Sequence, residues 1–176
     1  MRVAAPGSAA AGIEEVARHM TDAEIRRLVG RLDTTSARDE EEAWGQLREL
    51  GVTVVPYLAE AYGTFRKWQG RVALVFHSIR HARTSEEAFR LGVEALSDKA
   101  TMVRYRACGL LAYSQRPDAL PHLRALLQHR DARTVEDARA AIDAISHRNH
   151  HYFVDRQHSG RSFWRVNEGD EGDTRA

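Results

Sequence analysis

Apolar residues recur in this chain with a period of about 31 residues, and that spacing constrains the fold more than any single motif does. Leu58, Phe89 and Leu120 form one column, Ala61, Gly92 and Leu123 a second, and Phe65, Leu96 and Leu127 a third. On the alternating segments Val72 and Val103 keep the same step, and Val135 follows about 32 residues later. A unit of this length cannot bury its own apolar face, so it must stack on its neighbours. Three columns held in register therefore predict a stack of two-helix units rather than a bundle without repeats.

Local signals supply the helices. A first helix is predicted over Ile13 to Met20. Thr21 followed by Glu24 forms a capping box before Asp22 to Leu32. Ser36 opens a helix with Asp39 and Glu40 in its first turn, where the helix dipole favours negative charge, and Gly51 follows it. Pro56 suits a first turn, and Val55, Leu58, Tyr62 and Phe65 continue a buried face. Next comes Arg71 to Ala82, with Val72, Val75, Phe76 and Ile79 on one side. Thr84 with Glu87 opens Ser85 to Ser97, and Thr101 opens Met102 to Tyr113. Ala119 to His129 follows Pro117 and Asp118, and Thr134 with Asp137 opens Val135 to Ser146. Short helices joined by brief polar turns favour an all-α antiparallel arrangement.

The segment Val103 to Leu111, with Asp118 to Gln128 after it, resembles the HEAT-like (armadillo-type) repeat family. The matching features are Val103-Arg104, the small Ala107, Leu110-Leu111, then Ala119-Leu120-Pro121 with Leu126-Leu127. The resemblance spans about Ala37 to Ile145 and is clearest from Ser85 onward; Asp39 to Glu42 lacks the Val-Arg pair. It implies an α-solenoid and a protein-interaction surface, and it is specific for architecture more than for function.

The last segment breaks the helical pattern. Tyr152, Phe153 and Val154 are β-prone, as are Phe163, Trp164 and Val166, with the turn-rich Gln157-His158-Ser159-Gly160 between them. A β-hairpin over 151–166 is expected, with Phe153 opposite Trp164 and Val154 opposite Phe163. It would cap the stack over Ile142 and Ile145 and leave a polar turn in solvent. The expected organisation is a disordered stretch over 1–12, one repeat domain over 13–166, and a polar, disordered tail over 167–176.

Composition narrows the function. The chain has 176 residues, one domain's worth, with 43% hydrophobic and 29% charged residues and a net charge of +1. That balance argues against a dedicated nucleic-acid or membrane-surface protein. No apolar run approaches the ~20 residues of a membrane span, and Met1 to Gly12 lacks the apolar region of a secretory signal. A cytoplasmic protein is expected. Cys108 alone excludes an internal disulfide framework and a multi-cysteine zinc site.

Catalytic signatures are not found: there is no Gly-rich phosphate loop, no G-x-S-x-G elbow and no H-E-x-x-H pair. Some HEAT-like proteins are metal-dependent hydroxylases that use His-Glu pairs, and this chain has no His-Glu dipeptide. His77 and His81 are four residues apart, and His147, His150, His151 and His158 cluster with Asp155. Proximity is not convergence, so no metal ligand and no cofactor is assigned. His77 and Cys108 are read as packing residues. The expected function is non-catalytic: an adaptor or toxin-immunity-type binder. Its partner is another protein, held by Glu60, Arg90, Glu94, His122 and His129 on the second helices and by Arg156 and His158 in the hairpin. The alternatives are a nucleic-acid-associated module using the basic-aromatic patch of Arg148, Arg156, Arg161 and Arg165 with Tyr152, Phe153 and Trp164, or a metal- or cofactor-dependent HEAT-like enzyme.

Overall fold

The computed structural model describes residues 20–170. The expected disorder of 1–12, the predicted first helix apart from Met20, and positions 171–176 of the expected tail lie outside the described residues. Within them the chain is helical, and no strand occurs among the described residues. The helices are α1 (Asp22–Gly30), α2 (Ala37–Leu47), α3 (Val55–Tyr62), α4 (Trp68–Ser78), α5 (Glu86–Ala95), α6 (Thr101–Ser114), α7 (Leu120–Ala125) and α8 (Ala132–Ser146).

Each helix packs on its sequence neighbour in the pairs α1–α2, α3–α4, α5–α6 and α7–α8. Contacts also run between pairs, from α1 to α3 to α5 on one side and from α4 to α6 to α8 on the other. Trp44 extends the second row to α2 by stacking on His77 of α4, with ring centroids 3.8 Å apart. The apolar columns lie between the rows. Leu58, Phe89, Phe65, Leu96, Leu123 and Val103 are buried, whereas Leu120, Leu127 and Val72 are half-buried and pack against the core.

Two arginine–aspartate pairs, the first buried and the second half-buried, link successive helix pairs. Arg71 donates from Nε and Nη2 to Asp98 at 2.6 and 3.0 Å. Arg104 donates to Asp131 at 2.9 Å, to the Thr134 hydroxyl at 2.8 Å and to the Asp98 carbonyl at 2.7 Å. Each arginine sits near the start of a second-row helix and reaches the aspartate in the turn beyond the next helix.

Those arginines explain why two caps differ from expectation. Asp131, not Thr134, caps α8 by accepting from Arg133 N, while Thr134 is buried and donates to Asp131. Ala100, not Thr101, holds the cap position of α6, and its N–H donates to Asp98. In α5 the cap is Ser85 rather than Thr84, and the expected partner Glu87 accepts from the Ser85 hydroxyl. The Thr21–Glu24 box and the Ser36 cap form as expected.

The expected hairpin over 151–166 does not form. Residues His150–Phe153 make a 3-10 turn against α8. Side chains, not a partner strand, satisfy the backbone of the returning segment. Trp164 N donates to His151 Nδ1 at 2.9 Å, and the Trp164 carbonyl accepts from His150 Nε2 at 2.8 Å. Of the aromatic residues that suggested strands, Phe153 is a core residue, stacking near Tyr105 and 5.5 Å from the half-buried Trp164 ring, whereas Phe163 is exposed. The turn over 157–160 is polar and exposed, as expected, and a buried acid at its base holds it. Asp155 is buried and accepts from Ser159 N, Ser159 Oγ and Gly160 N. The expected disorder also fails over 167–170, where buried Asp170 accepts from Val166 N, Asn167 N and the Tyr113 hydroxyl.

Candidate functional site

The residues nominated from sequence fall in two places. Glu60, Arg90, Glu94 and His122 are exposed along α3, α5 and α7, on the row opposite α4, α6 and α8. Glu60 pairs with Arg26 at 3.2 Å and Arg90 with Glu86 at 3.6 Å, both in solvent. His129 Nδ1 accepts from Asp131 N in the turn before α8. Arg156 and His158 lie apart from these, against α8, where Arg156 pairs with Asp137 at 2.8 Å and His158 meets Asp143. A cleft of about 180 Å³ touches the first group, between Arg26, Tyr57 and Glu60.

A larger cleft lies on the other row. It has a volume of about 350 Å³ and is lined by Trp44 and Arg48 from the α2 end, Phe76 and Arg80 from the α4 end, and Trp164 and Arg165 from the returning segment. Glu41, His77, Ile79 and Val166 complete its walls. Phe76 is 45% exposed, an unusual state for a phenylalanine on a helix whose neighbours are core residues. The Arg106 guanidinium of α6 sits 4.8 Å over its ring. His77 is a packing residue, as expected: it is buried, stacked on Trp44, and bonded through Nε2 to Glu40 at 3.0 Å. Beyond the cleft, Trp68 and Met102 are each 44% exposed on the same row of helices.

Sequence reasoning placed Phe76 in an apolar stripe and so missed this cleft. A signal was present: Trp44 and Arg48, and Phe76 and Arg80, are aromatic-arginine pairs four residues apart, on two helices of the same row. That spacing puts both members on one helix face. No protein-family model matches this chain, and no curated protein is significantly similar to it.

The C-terminal histidines divide. His150 and His151 are buried and spend their ring nitrogens on Arg83, Trp164 and the Asp170 carbonyl. Burial pushes the His150 imidazole below its ordinary value, aided by the neighbouring His151 and Arg83 charges. His147 and His158 instead converge on Asp143, with donor atoms all within 4.8 Å of one another. Cys108 is fully buried, and that burial pushes its thiol far up, which leaves it unreactive.

Proposed function

We propose that this chain is a non-catalytic protein-binding module, a small HEAT-like solenoid that uses the cleft of Trp44, Phe76 and Trp164 to hold an acidic segment of another protein. The observation that carries the proposal is the composition of that cleft: three aromatic side chains interleaved with Arg48, Arg80 and Arg165, against the single acid Glu41. Aromatic residues and arginine are the types that anchor protein interfaces, because they combine large contact area with directional donors. The exposed Trp68 and Met102 extend the apolar character along the same row. The two-row packing and the Arg71–Asp98 and Arg104–Asp131 pairs support the solenoid. The charged residues Glu60, Arg90, Glu94, His122 and His129 belong to the other row and would serve as a secondary contact. A cytoplasmic setting fits the single buried thiol.

The basic-aromatic nucleic-acid alternative draws less support, because Phe153 is buried, Tyr152 stacks on His158 and Arg156 is paired with Asp137. A displayed random-peptide library selected on the wild-type chain, and counter-selected on Phe76→Ser with Arg80→Glu, tests the proposal. Acidic sequences carrying an aromatic or aliphatic anchor should enrich on the wild type only, and Arg90→Glu with Glu94→Arg should leave the enrichment intact. If the peptides ignore the cleft variants but follow the Arg90/Glu94 pair, the interaction surface is the opposite row. Single-strand oligonucleotide binding that depends on Phe76 and Arg80 would move the function to nucleic acid.

A further inference from the structure

We infer that Asp143, His147 and His158 form a binding site for a divalent transition-metal ion of the zinc type, separate from the aromatic cleft. His158 Nε2 lies 2.5 Å from Asp143 Oδ2, and His147 Nδ1 lies 3.0 Å from Asp143 Oδ1. The two imidazole rings are 5.2 Å apart. Zinc bonds of about 2.0–2.1 Å in tetrahedral geometry put neighbouring donor atoms roughly 3.3 Å apart, so small side-chain rotations seat an ion among these three. One carboxylate and two imidazoles suit zinc; magnesium and calcium favour oxygen-only sets.

The surroundings hold the ligands in place independently of one another. Asp143 and His147 share one face at the end of α8, one turn apart. His158 comes from the following loop with φ +52, a left-handed conformation that is uncommon for a residue with a side chain. Strain of that kind concentrates where position matters. Buried Asp155 fixes the turn through its three accepted hydrogen bonds, and the Tyr152 ring stacks on His158 at 3.7 Å and 10°. A hydrogen-bonded clasp of this loop onto α8 needs only one histidine. His147 is not needed for that clasp: its Nδ1 lies 3.0 Å from both the Asp143 carbonyl and Asp143 Oδ1, one turn back on the same helix. A cleft of about 440 Å³ bordered by Glu136, Arg139 and Arg156 opens onto Asp143 and His158, which leaves room for water or a small anion at the remaining coordination position.

The test uses the full chain without an affinity tag, stripped with a chelator. Titration calorimetry with Zn²⁺ alone should give one ion per chain, and Co²⁺ should give the visible absorption of a low-coordinate site. His158→Ala and Asp143→Asn should each weaken Zn²⁺ binding at least tenfold. His147→Ala removes a donor from an exposed helix end while keeping the His158–Asp143 contact, so it should keep the fold and show a similar loss. His122→Ala, an exposed histidine far along the chain, should bind as the wild type does. Absence of one-to-one binding by the folded wild type overturns the site, and so does unchanged affinity in His147→Ala or His158→Ala.

Discussion

At the scale of single residues, buried charge dominates. Arg71 and Asp98 have side chains only 9% and 4% exposed, and the Tyr62 hydroxyl donates to the same carboxylate at 2.6 Å. Burial alone would push the Asp98 carboxyl up. The hydrogen bonds from Arg71, Tyr62 and Ala100 N outweigh it and hold the group below the ordinary carboxylate range. Removing Arg71 leaves a buried carboxylate short of its cation, so Arg71→Met should destabilise by about 3–5 kcal/mol in denaturant unfolding. Arg71→Met with Asp98→Asn should recover part of that loss, which a double-mutant cycle measures.

Histidine burial sets a second effect, with a definite sign. His150 is held below its ordinary value, chiefly by burial, as is His81. Below about pH 6.5 the unfolded chain therefore binds protons that the folded chain refuses. Stability should be full above that pH and decline as pH falls through it. The depressed carboxyl groups of Asp98, Asp131 and Asp170 extend the loss below about pH 4, with Asp131 held at about 2, first by the Thr101 hydroxyl. Melting temperature against pH should show both limbs, and His150→Gln should flatten the upper one without abolishing the lower.

At the scale of elements, the junction between the turn after α1 and the start of α4 turns on one close approach. Asp33, in the turn after α1, accepts from Arg66 N and Lys67 N at 3.2 and 3.0 Å and so caps the start of α4. Gly70, in the first turn of α4, lets it come that near. A Cβ there would meet Asp33 Oδ1 at 2.7 Å and the Asp33 Cα at 2.8 Å. The second of these is backbone and cannot rotate away. Gly70→Ala should cost about 1–3 kcal/mol, despite alanine's better helix propensity, and the loss should be read in thermal unfolding.

Elements also show where sequence was legible. Helix order and the Thr21 and Ser36 caps depend on neighbours within a few residues or on spacing alone, and these could be read. The caps at α6 and α8 could not, because Arg104 draws Thr101, Thr134 and Asp131 into one network across about 30 residues of chain. The hairpin expectation failed for a similar reason. Aromatic and β-branched residues look alike whether they line a strand or a core, and only contact with Tyr105, Gly109 and Tyr113 on α6 distinguishes Phe153 and Trp164. The aromatic cleft combined both difficulties: its halves on α2 and α4 carry a readable spacing, whereas Trp164 reaches them only through the fold.

At the scale of the whole molecule, the returning segment couples the core to the candidate binding face. Trp164, Arg165 and Val166 line the cleft, and their position is fixed from behind. His150 and His151 hold the Trp164 backbone, and Asp170 takes the N–H groups of Val166 and Asn167 together with the Tyr113 hydroxyl. Burial pushes the Asp170 carboxyl up, but those backbone N–H groups prevail and keep it charged. A chain ending at Asn167 would leave the Val166 and Asn167 donors and the Tyr113 hydroxyl without this acceptor. Each unsatisfied buried group costs about 1–3 kcal/mol, so this truncation should lower the melting temperature measurably. A chain ending at Asp170 keeps every one of those bonds and should melt above the chain ending at Asn167. Because the same bonds aim Trp164 at the cleft, the chain ending at Asn167 should also capture acidic peptides more weakly, whereas zinc binding at Asp143, His147 and His158, held by Asp155 and Tyr152 instead, should persist. Equal loss of both activities in the folded truncation would mean that residues 150–170 act as one cooperative unit rather than as two independently anchored turns.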